Sequence, residues 1–356
     1  MYDPEQILAW LEIHVKPMRQ SRRKTLAAVV NAALLMKGVG VLALGRAMAG
    51  AVGAKHCIKR VWRFLRNEAL ECEAVSQALL LHLAPPHGPL VVLVDWTDLD
   101  PFQHLVFALP RDGRALPFLS RTIAKEAGAG SVVAAEQEAL AALARIAPCG
   151  RELVLVADRG FGNTRWLADV QNRGWHFVQR LANNLVVDVA EHLGALASLD
   201  VSRGDRGRDW GRGLVTEGHP FSIRLVTTFA EEAKEPWYLA TDLNQPPPEV
   251  IRLYQRRMWI EETFRDWKNR NWGLGLDAVR LSEPERHDRL FVVLALAYAF
   301  LCAFGAAAES LEVDRLMKAN TVSERVMNLA RLGNYFLQLA SCTIDFAIQA
   351  LLALPP

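Results

Sequence analysis

Two apolar runs, each followed by an aspartate, place the strongest constraint on the fold of this 356-residue chain. Leu90–Val94 precedes Asp95, and Leu153–Ala157 precedes Asp158. Unbroken, β-branched runs of this kind are typical of strands that are buried on both faces of a sheet. Carboxylates at the ends of such strands lie where α/β proteins bind ligands, although a single strand-end aspartate often only caps a turn. The sequence therefore predicts an α/β fold with two carboxylates at ligand-binding positions.

The flanking residues complete a β-β-β-α-β-α-β order. Asp112-Gly113 lies between two strand-like runs, Phe102–Leu109 and Ala115–Ile123, and predicts a hairpin. The remaining elements predicted here are helices at Ser131–Ala147 and Asn163–Asn172 and a strand at Trp175–Leu181. From Ala182 to Pro248 the runs become short and strand-like, which predicts a β-rich insertion that contains a Gly/Arg loop, Arg203–Gly213.

A long helix, Glu249–Asn269, is predicted after Pro246–Pro248, because proline is tolerated in a first helical turn. At about 100° per residue, four polar residues of this helix fall within about 60° of one another. They are Tyr254, Arg257, Glu261 and Lys268. By itself this pattern is also that of an amphipathic surface helix with an i,i+4 Glu–Arg pair.

If Glu261 joins Asp95 and Asp158, three carboxylates meet at one point. Converging carboxylates repel one another and favour protonation unless a cation neutralises them. Oxygen ligands select hard divalent cations, so Mg²⁺ or Mn²⁺ is expected rather than zinc. Two such ions can activate a water or a 3′-hydroxyl group and stabilise the leaving oxygen of a phosphodiester. The pattern therefore indicates metal-assisted phosphoryl transfer on a nucleic acid.

The N-terminal segment is basic although the whole chain carries a net charge of only +2. Residues 1–70 contain twelve Lys and Arg against four Asp and Glu, a net +8. The segment has a helical pattern, and its last helix, Lys55–Leu65, places Ile58, Val61, Trp62 and Leu65 on one predicted apolar face. The opposite face and the Gly/Arg loop supply the candidate DNA contacts, which are Lys59, Arg60, Arg63, Arg66, Arg208 and Arg212. A DNA-binding domain is favoured over a solvated helical cap.

Leu290–Ala308 is a run of 19 residues without a charge, close to the length that crosses a bilayer. A buried core helix is favoured, because charged residues flank both ends and alanine is frequent. The five cysteines form no Cys-x-x-Cys pair, which argues against a structural zinc site or a disulfide scaffold. No secretory signal is visible at the N-terminus. A cytoplasmic protein is expected, with no membrane partner.

In its motifs the chain resembles the DDE transposases of bacterial insertion sequences, in the subgroup defined by a Tyr-x2-Arg-x3-Glu-x6-Lys signature. Here the signature reads Tyr254-Gln-Arg-Arg257-Met-Trp-Ile-Glu261-Glu-Thr-Phe-Arg-Asp-Trp-Lys268, with every spacing met. The other landmarks are Val94-Asp95-Trp-Thr97 and Ala157-Asp158-Arg-Gly160. The resemblance extends from about Leu90 to Ala308, whereas the first 80 residues agree only in being basic and helical.

The resemblance implies an RNase H-like mixed sheet with flanking helices and a β-rich insertion between the second aspartate and the glutamate. It implies that Asp95, Asp158 and Glu261 are catalytic and bind two Mg²⁺ ions, with Mn²⁺ as a substitute. It also implies that Tyr254, Arg257 and Lys268 contact DNA near the cleavage point. A tryptophan in the last insertion strand would stack on a flipped base while a hairpin forms. Its counterpart here is Trp237, and Trp210 is the competing candidate.

The predicted domains are a helical DNA-binding domain (1–83), a core in two parts (90–181 and 249–308), the insertion (182–248) and a helical C-terminal region (309–356) that is a candidate for dimerisation. The predicted function is a transposase that excises an insertion sequence from double-stranded DNA at terminal inverted repeats, through hairpin ends. It would then join the 3′-OH ends to target DNA as a homodimer in the bacterial cytoplasm, at the nucleoid. Two alternatives remain open: an RNase H-like nuclease without strand transfer, and a domesticated DNA-binding protein without catalysis.

Overall fold

A ten-stranded mixed sheet runs through the computed structural model of the protein. The structure describes residues 5–35, 38–161, 164–216, 220–271, 273–319, 321–322, 324–340 and 342–356. The strands are β1 (Leu90–Leu99), β2 (Phe102–Arg111), β3 (Arg114–Ala124), β4 (Leu153–Ala157), β5 (His176–Arg180), β6 (Val186–Val189), β7 (His192–Ala195), β8 (Asp205–Val215), β9 (Phe221–Phe229) and β10 (Trp237–Thr241). The helices that flank the sheet confirm the predicted α/β class.

The first five strands form the predicted core of the sheet. β1, β2 and β3 are antiparallel neighbours, and the turn at Asp112-Gly113 confirms the predicted hairpin. β4 pairs in parallel with β1 on one side and β5 on the other, which gives the order β3-β2-β1-β4-β5. All five residues of β4 are buried, as the apolar run predicts. The order and directions of these strands are those of an RNase H-like sheet.

The β-rich insertion continues the same sheet. β10 pairs with β5, and β9, β8, β6 and β7 follow outward. The Gly/Arg loop predicted at Arg203–Gly213 is wrong, because most of these residues form β8 and pair with β9. Two irregularities in that pairing coincide with Gly207 and Gly211, whose positive φ angles allow the strand to bulge without leaving the sheet. Arg208 and Arg212 therefore project from a strand.

In the described residues, five helices precede the sheet in sequence and two lie between core strands in sequence. They are α1 (Glu5–His14), α2 (Gln20–Leu34), α3 (Val41–Ala47), α4 (Ala54–Leu65), α5 (Cys72–Leu83), α6 (Ala129–Ile146) and α7 (Thr164–Gln171). α6 begins two residues before the predicted Ser131, and Asn163, the predicted start of α7, lies outside the described residues. The predicted apolar face of α4 is partly wrong: Trp62 is 44% exposed, and Cys57 and Phe64 are buried in the apolar face with Val61 and Leu65.

The charge-free run Leu290–Ala308 lies at the centre of the fold. It lies within α10 (Pro284–Ser310), a helix whose apolar stretch is completely buried inside the protein. By length and composition this helix could cross a membrane, but its complete burial confirms the predicted core helix. α2, β3, α11 (Leu329–Leu339) and α12 (Ile344–Ala353) all pack on it.

The C-terminal region packs within its own chain. Leu329, Leu332 and Phe336 of this region are buried against α10. Leu316 and Leu339 are exposed. A role of this region in dimerisation remains a prediction, and only its exposed residues are free to serve it.

Candidate active site

Asp95, Asp158 and Glu261 come from three separate elements. Asp95 lies in β1 one residue beyond Val94, where the parallel pairing with β4 ends. Asp158 directly follows β4. The prediction that Asp95 ends its strand is wrong, since β1 continues to Leu99 by pairing with β2. The parallel part of the sheet nevertheless places both aspartates at adjacent strand positions.

Glu261 belongs to a helix that is interrupted. The single helix predicted over Glu249–Asn269 is instead α8 (Pro247–Gln255) and α9 (Met258–Lys268). At the break the backbone makes tighter i→i+3 hydrogen bonds, from Arg257 N to Tyr254 O and from Ile260 N to Arg257 O. Arg257 is the residue immediately before α9.

Arg257 contacts all three carboxylates. Its Nη2 atom lies 3.0 Å from Asp95 Oδ2 and 3.3 Å from Asp158 Oδ2. Its Nη1 atom donates to Glu261 Oε1 at 2.6 Å. Burial alone would lower the pKa of Arg257, but the charges of Asp95 and Asp158 raise it above the usual value, so the guanidinium group stays protonated. The structure thus brings the predicted acidic residues together around one cation.

Burial also affects Asp95. It raises the pKa of Asp95 to about 6, Arg257 opposes the increase, and the neighbouring Asp158 and Glu261 add to it. The Asp95 carboxylate also accepts a hydrogen bond from the backbone N–H of Trp96 at 2.9 Å. Positive charge near these oxygens therefore favours their ionised form.

The oxygen atoms of the three carboxylates are the ligand type that a hard divalent cation prefers. The distances between the carboxylates, however, are too long for a metal site. All three provide oxygen atoms, and all three point to one positive group. Within the described ranges, however, no three His, Cys, Asp or Glu side chains lie close enough to hold a metal ion. Here the guanidinium group of Arg257 lies between the carboxylates.

Residues 125–300 match the family model of the transposase DDE domain. These 176 of the 356 residues are similar to a transposase DDE domain and are called the DDE domain below for that similarity. The match contains Asp158, Glu261 and the whole signature segment, whereas Asp95 and the basic N-terminal helices precede it. A comparison with curated proteins finds no match to the chain.

The other signature residues surround the same point of the DDE domain. Tyr254 is buried and donates from its hydroxyl group to Asp158 Oδ1 at 3.0 Å. The ring of Trp237 meets the ring of Tyr254 edge-on, with centroids 4.9 Å apart. Lys268 lines the same open cleft of about 970 Å³ as the three carboxylates. Burial lowers the pKa of Lys268, and Asp98 partly opposes that change.

Trp210, the competing tryptophan, is held by other residues of the insertion. Its indole N–H group donates to Thr227 Oγ1 at 3.0 Å. The guanidinium carbon of Arg208 lies 3.8 Å from the centre of its ring. Arg212, which lies on the same strand β8 as Trp210, donates to Asn244 Oδ1 at 3.3 Å. The partners of the Trp210 side chain are thus Thr227 and Arg208, not the three carboxylates.

Two residues that support the site were not among the predicted candidates. Asp266 is buried on α9 and accepts hydrogen bonds from Arg114 at 2.8 Å, Tyr298 at 2.7 Å and Asn328 at 3.0 Å. Asp266 thereby fixes the signature helix, α9, to β3, α10 and the start of α11. Glu136 is buried on α6 and accepts from the indole of Trp96 at 3.4 Å. Their partners are distant in sequence, so no local pattern identifies either residue.

The basic residues of α4 lie outside the DDE domain. Lys59, Arg60, Arg63 and Arg66 are all exposed. Arg60 donates to Thr25 Oγ1 at 3.1 Å, and the guanidinium group of Arg66 stacks on Trp62 with 4.2 Å to the ring centre. A groove of about 830 Å³ between α2 and α4 is lined by Lys59, Arg60 and Arg63.

Proposed function

We propose that the protein is a divalent-metal-dependent DNA transposase that cuts DNA at the terminal inverted repeats of an insertion sequence and joins the freed 3′-OH ends to target DNA. The observation that carries the proposal is the convergence of Asp95, Asp158 and Glu261 in an open cleft, two of them inside a transposase DDE domain. Such a cleft admits a phosphodiester backbone, and carboxylates have no productive interaction with phosphate unless a cation lies between them.

Asp95, Asp158 and Glu261 would hold Mg²⁺, or Mn²⁺ in its place, with two ions as the proposed number. Bound there, such ions would supply activation of a hydroxyl nucleophile and stabilisation of the leaving oxygen of the phosphodiester. Tyr254 orients Asp158 through its hydrogen bond, and Lys268 supplies positive charge at the cleft for a DNA phosphate. Asp266 keeps α9, and with it Glu261, against the sheet.

The hairpin route is proposed for the excision step, with Trp237 as the platform for a flipped base. Support comes from the contact between Trp237 and Tyr254, which itself contacts Asp158. A single side chain, that of Tyr254, thus separates Trp237 from a carboxylate of the site, while Trp210 is engaged by Thr227 and Arg208. An aromatic platform offsets the cost of unstacking a base.

Recognition of the transposon ends is proposed to rest on the N-terminal helices. α4 carries exposed cationic side chains along one helix, next to a groove against α2. A basic helix of this length fits the major groove of DNA, and the surrounding Lys and Arg side chains bind phosphates. We further propose that two copies act together in the cytoplasm, one on each transposon end.

The test uses the full chain with a linear duplex that carries a candidate inverted repeat and a supercoiled target plasmid. Mg²⁺-dependent nicking at the repeat followed by joining to the plasmid is expected. Asp158→Asn and Glu261→Gln should each reduce nicking at least about a thousandfold and leave binding of the duplex within about threefold, because metal-supported transition-state stabilisation is lost and the phosphate contacts remain. Nicking without joining would favour a nuclease, and binding without nicking a non-catalytic DNA-binding protein.

A further inference from the structure

We propose that Arg257 is an internal counter-ion that holds Asp95, Asp158 and Glu261 together in the metal-free protein and that a divalent cation displaces it. The inference rests on the proposed function, because it assumes that these carboxylates bind a divalent cation. It concerns what the chain does before that cation arrives, and what becomes of Arg257 afterwards.

Arg257 and a bound cation would use the same carboxylate oxygen atoms. Arg257 contacts Asp95 Oδ2 at 3.0 Å, Asp158 Oδ2 at 3.3 Å and Glu261 Oε1 at 2.6 Å. In the described part of the chain these residues do not form a group of three that could hold a metal ion. A cation that takes these oxygens must therefore remove the guanidinium group from between them.

The formal charge of the site favours a divalent cation over Arg257. Three carboxylates and one guanidinium group carry −2 in total, so Arg257 reduces the repulsion between the acids without cancelling it. A divalent cation offers twice the charge of Arg257 and is smaller, which gives it the stronger interaction with the same oxygens. Arg257 thus gathers the three carboxylates beforehand, and the net negative charge that remains still attracts a divalent cation.

The three carboxylates supply almost all the polar contacts of Arg257. The residue is 7% exposed, and its Nε atom is buried without a hydrogen-bond partner in the described residues. Apart from a weak 3.9 Å contact to the sulfur of Met258, its two Nη atoms bond, among the described residues, only to the acids. A guanidinium group that loses these contacts cannot stay buried and unpaired.

We expect the cation to displace Arg257 first and Arg257 to contact DNA afterwards. Once displaced, Arg257 lies at the edge of an open cleft of about 970 Å³, where a DNA phosphate can replace the carboxylates as its partner. The same side chain would therefore balance the acids without metal and contact DNA with metal. Its place immediately before α9, at the break from α8, puts this exchange next to Glu261.

The experiment is a Mn²⁺ titration of the full chain without DNA. The electron paramagnetic resonance signal of the free Mn²⁺ ion reports how much remains unbound at each point. Wild type is compared with Arg257→Gln, which removes the charge, and Arg257→Lys, which keeps it. The matched control is Arg256→Gln, which changes the net charge equally in the same turn, at a side chain that lines a different cavity with Glu249 and Leu253. Arg257→Gln should bind Mn²⁺ at least tenfold more tightly than both wild type and Arg256→Gln.

A second readout does not depend on a variant. Mg²⁺ added to wild type with ¹⁵N-labelled arginine should shift one Arg Nε resonance, which Arg257→Lys identifies by its loss. Equal or weaker Mn²⁺ binding by Arg257→Gln, or an unshifted Arg257 resonance at saturating Mg²⁺, would overturn the inference and leave the proposed function standing. Failure of every form, wild type included, to bind Mn²⁺ would contradict both.

Discussion

Glu136 shows how a single buried carboxyl group makes stability depend on pH. Burial raises the pKa of Glu136 to about 7, the hydrogen bond from Trp96 opposes the increase, and Asp169 adds to it. The folded protein therefore keeps a proton on Glu136 at pH values at which the unfolded chain, with an ordinary pKa of 4.5, has lost it. The contribution of Glu136 to stability is present in full below pH 4.5 and is lost as the pH rises through about 7.

Glu136→Gln removes this ionisation and keeps an acceptor for Trp96. We expect the free energy of unfolding of the variant, relative to wild type, to increase by about 1–3 kcal/mol between pH 5 and pH 8. Urea unfolding at the two pH values measures the difference. Glu138→Gln, an exposed position on the same helix, is the control and should show no such change. A constant difference between wild type and Glu136→Gln would contradict the assignment.

Trp237 is the residue that tests the proposed hairpin route. If its ring supports a flipped base, Trp237→Ala should slow hairpin formation about tenfold to a hundredfold more than the first nick, since stacking is worth roughly 1–3 kcal/mol per base. Trp237→Phe should recover part of the loss, because the contact needs an aromatic face. Denaturing gels of nicked and hairpin products give both rates.

Trp210→Ala is the matched control for this experiment. Equal loss of both steps in Trp237→Ala would mean that the side chain only packs against Tyr254. A selective loss of the hairpin in Trp210→Ala would instead assign the stacking role to the insertion strand β8.

At the scale of elements, the contact between α10 and α11 is unusually close. A Cβ atom on Gly333 would overlap the backbone oxygen of Leu301, and one on Gly305 would overlap that of Leu329. The two helices approach each other at these glycines, and the backbones leave no room for a methyl group. Asn328 caps α11 and also donates to Asp266, so the position of α11 affects the signature helix α9.

Gly333→Ala should lower the free energy of unfolding by about 2–4 kcal/mol, because the helices must separate to admit the methyl group. Gly130→Ala, in the first turn of α6 with open space around it, is the control. It should stabilise the protein by about 0.5–1 kcal/mol through the helix preference of alanine. Chemical unfolding compares both. A Gly333→Ala protein as stable as wild type would show that α11 can move away at little cost.

For the whole molecule, the distribution of charge is more informative than the net charge of +2. The +8 of residues 1–70 is concentrated before the DDE domain, and the rest of the chain carries −6. The acidic site would repel DNA without bound cations, whereas the basic helices would attract it. Truncation of these helices is a poor test, since α2 packs on the core helix α10 and its loss would expose that helix.

Binding of a transposon end by wild type should weaken steeply with salt, with a slope of log affinity against log salt of about −4 to −5 for five phosphate contacts. Replacement of Lys59, Arg63 and Arg66 together by Ala should reduce the slope by about 2–3 and the affinity by at least tenfold. Lys234, Arg252 and Arg315, which lie far along the chain, form the control set of three. A wild-type slope near zero, or no change in the α4 variant, would count against this interface.

The sequence by itself determined the parts of this protein that depend on local chemistry. The buried strands β1 and β4, the hairpin at Asp112-Gly113 and the core helix α10 follow from apolar runs and turn residues, which act over a few positions. Asp95, Asp158 and Glu261 could be selected from strand ends and motif spacing. Their convergence on one cation agrees with that selection.

Only the tertiary structure decided how these parts meet. The break between α8 and α9, the bulged strand in place of the Gly/Arg loop and the exposure of Trp62 depend on neighbours that are distant in sequence. The same is true of Asp266 and Glu136, which are buried polar groups satisfied by partners from other elements. Periodicity describes which face of an element is apolar, but the free energy of pairing three carboxylates with one buried arginine appears only once the chain has folded around them.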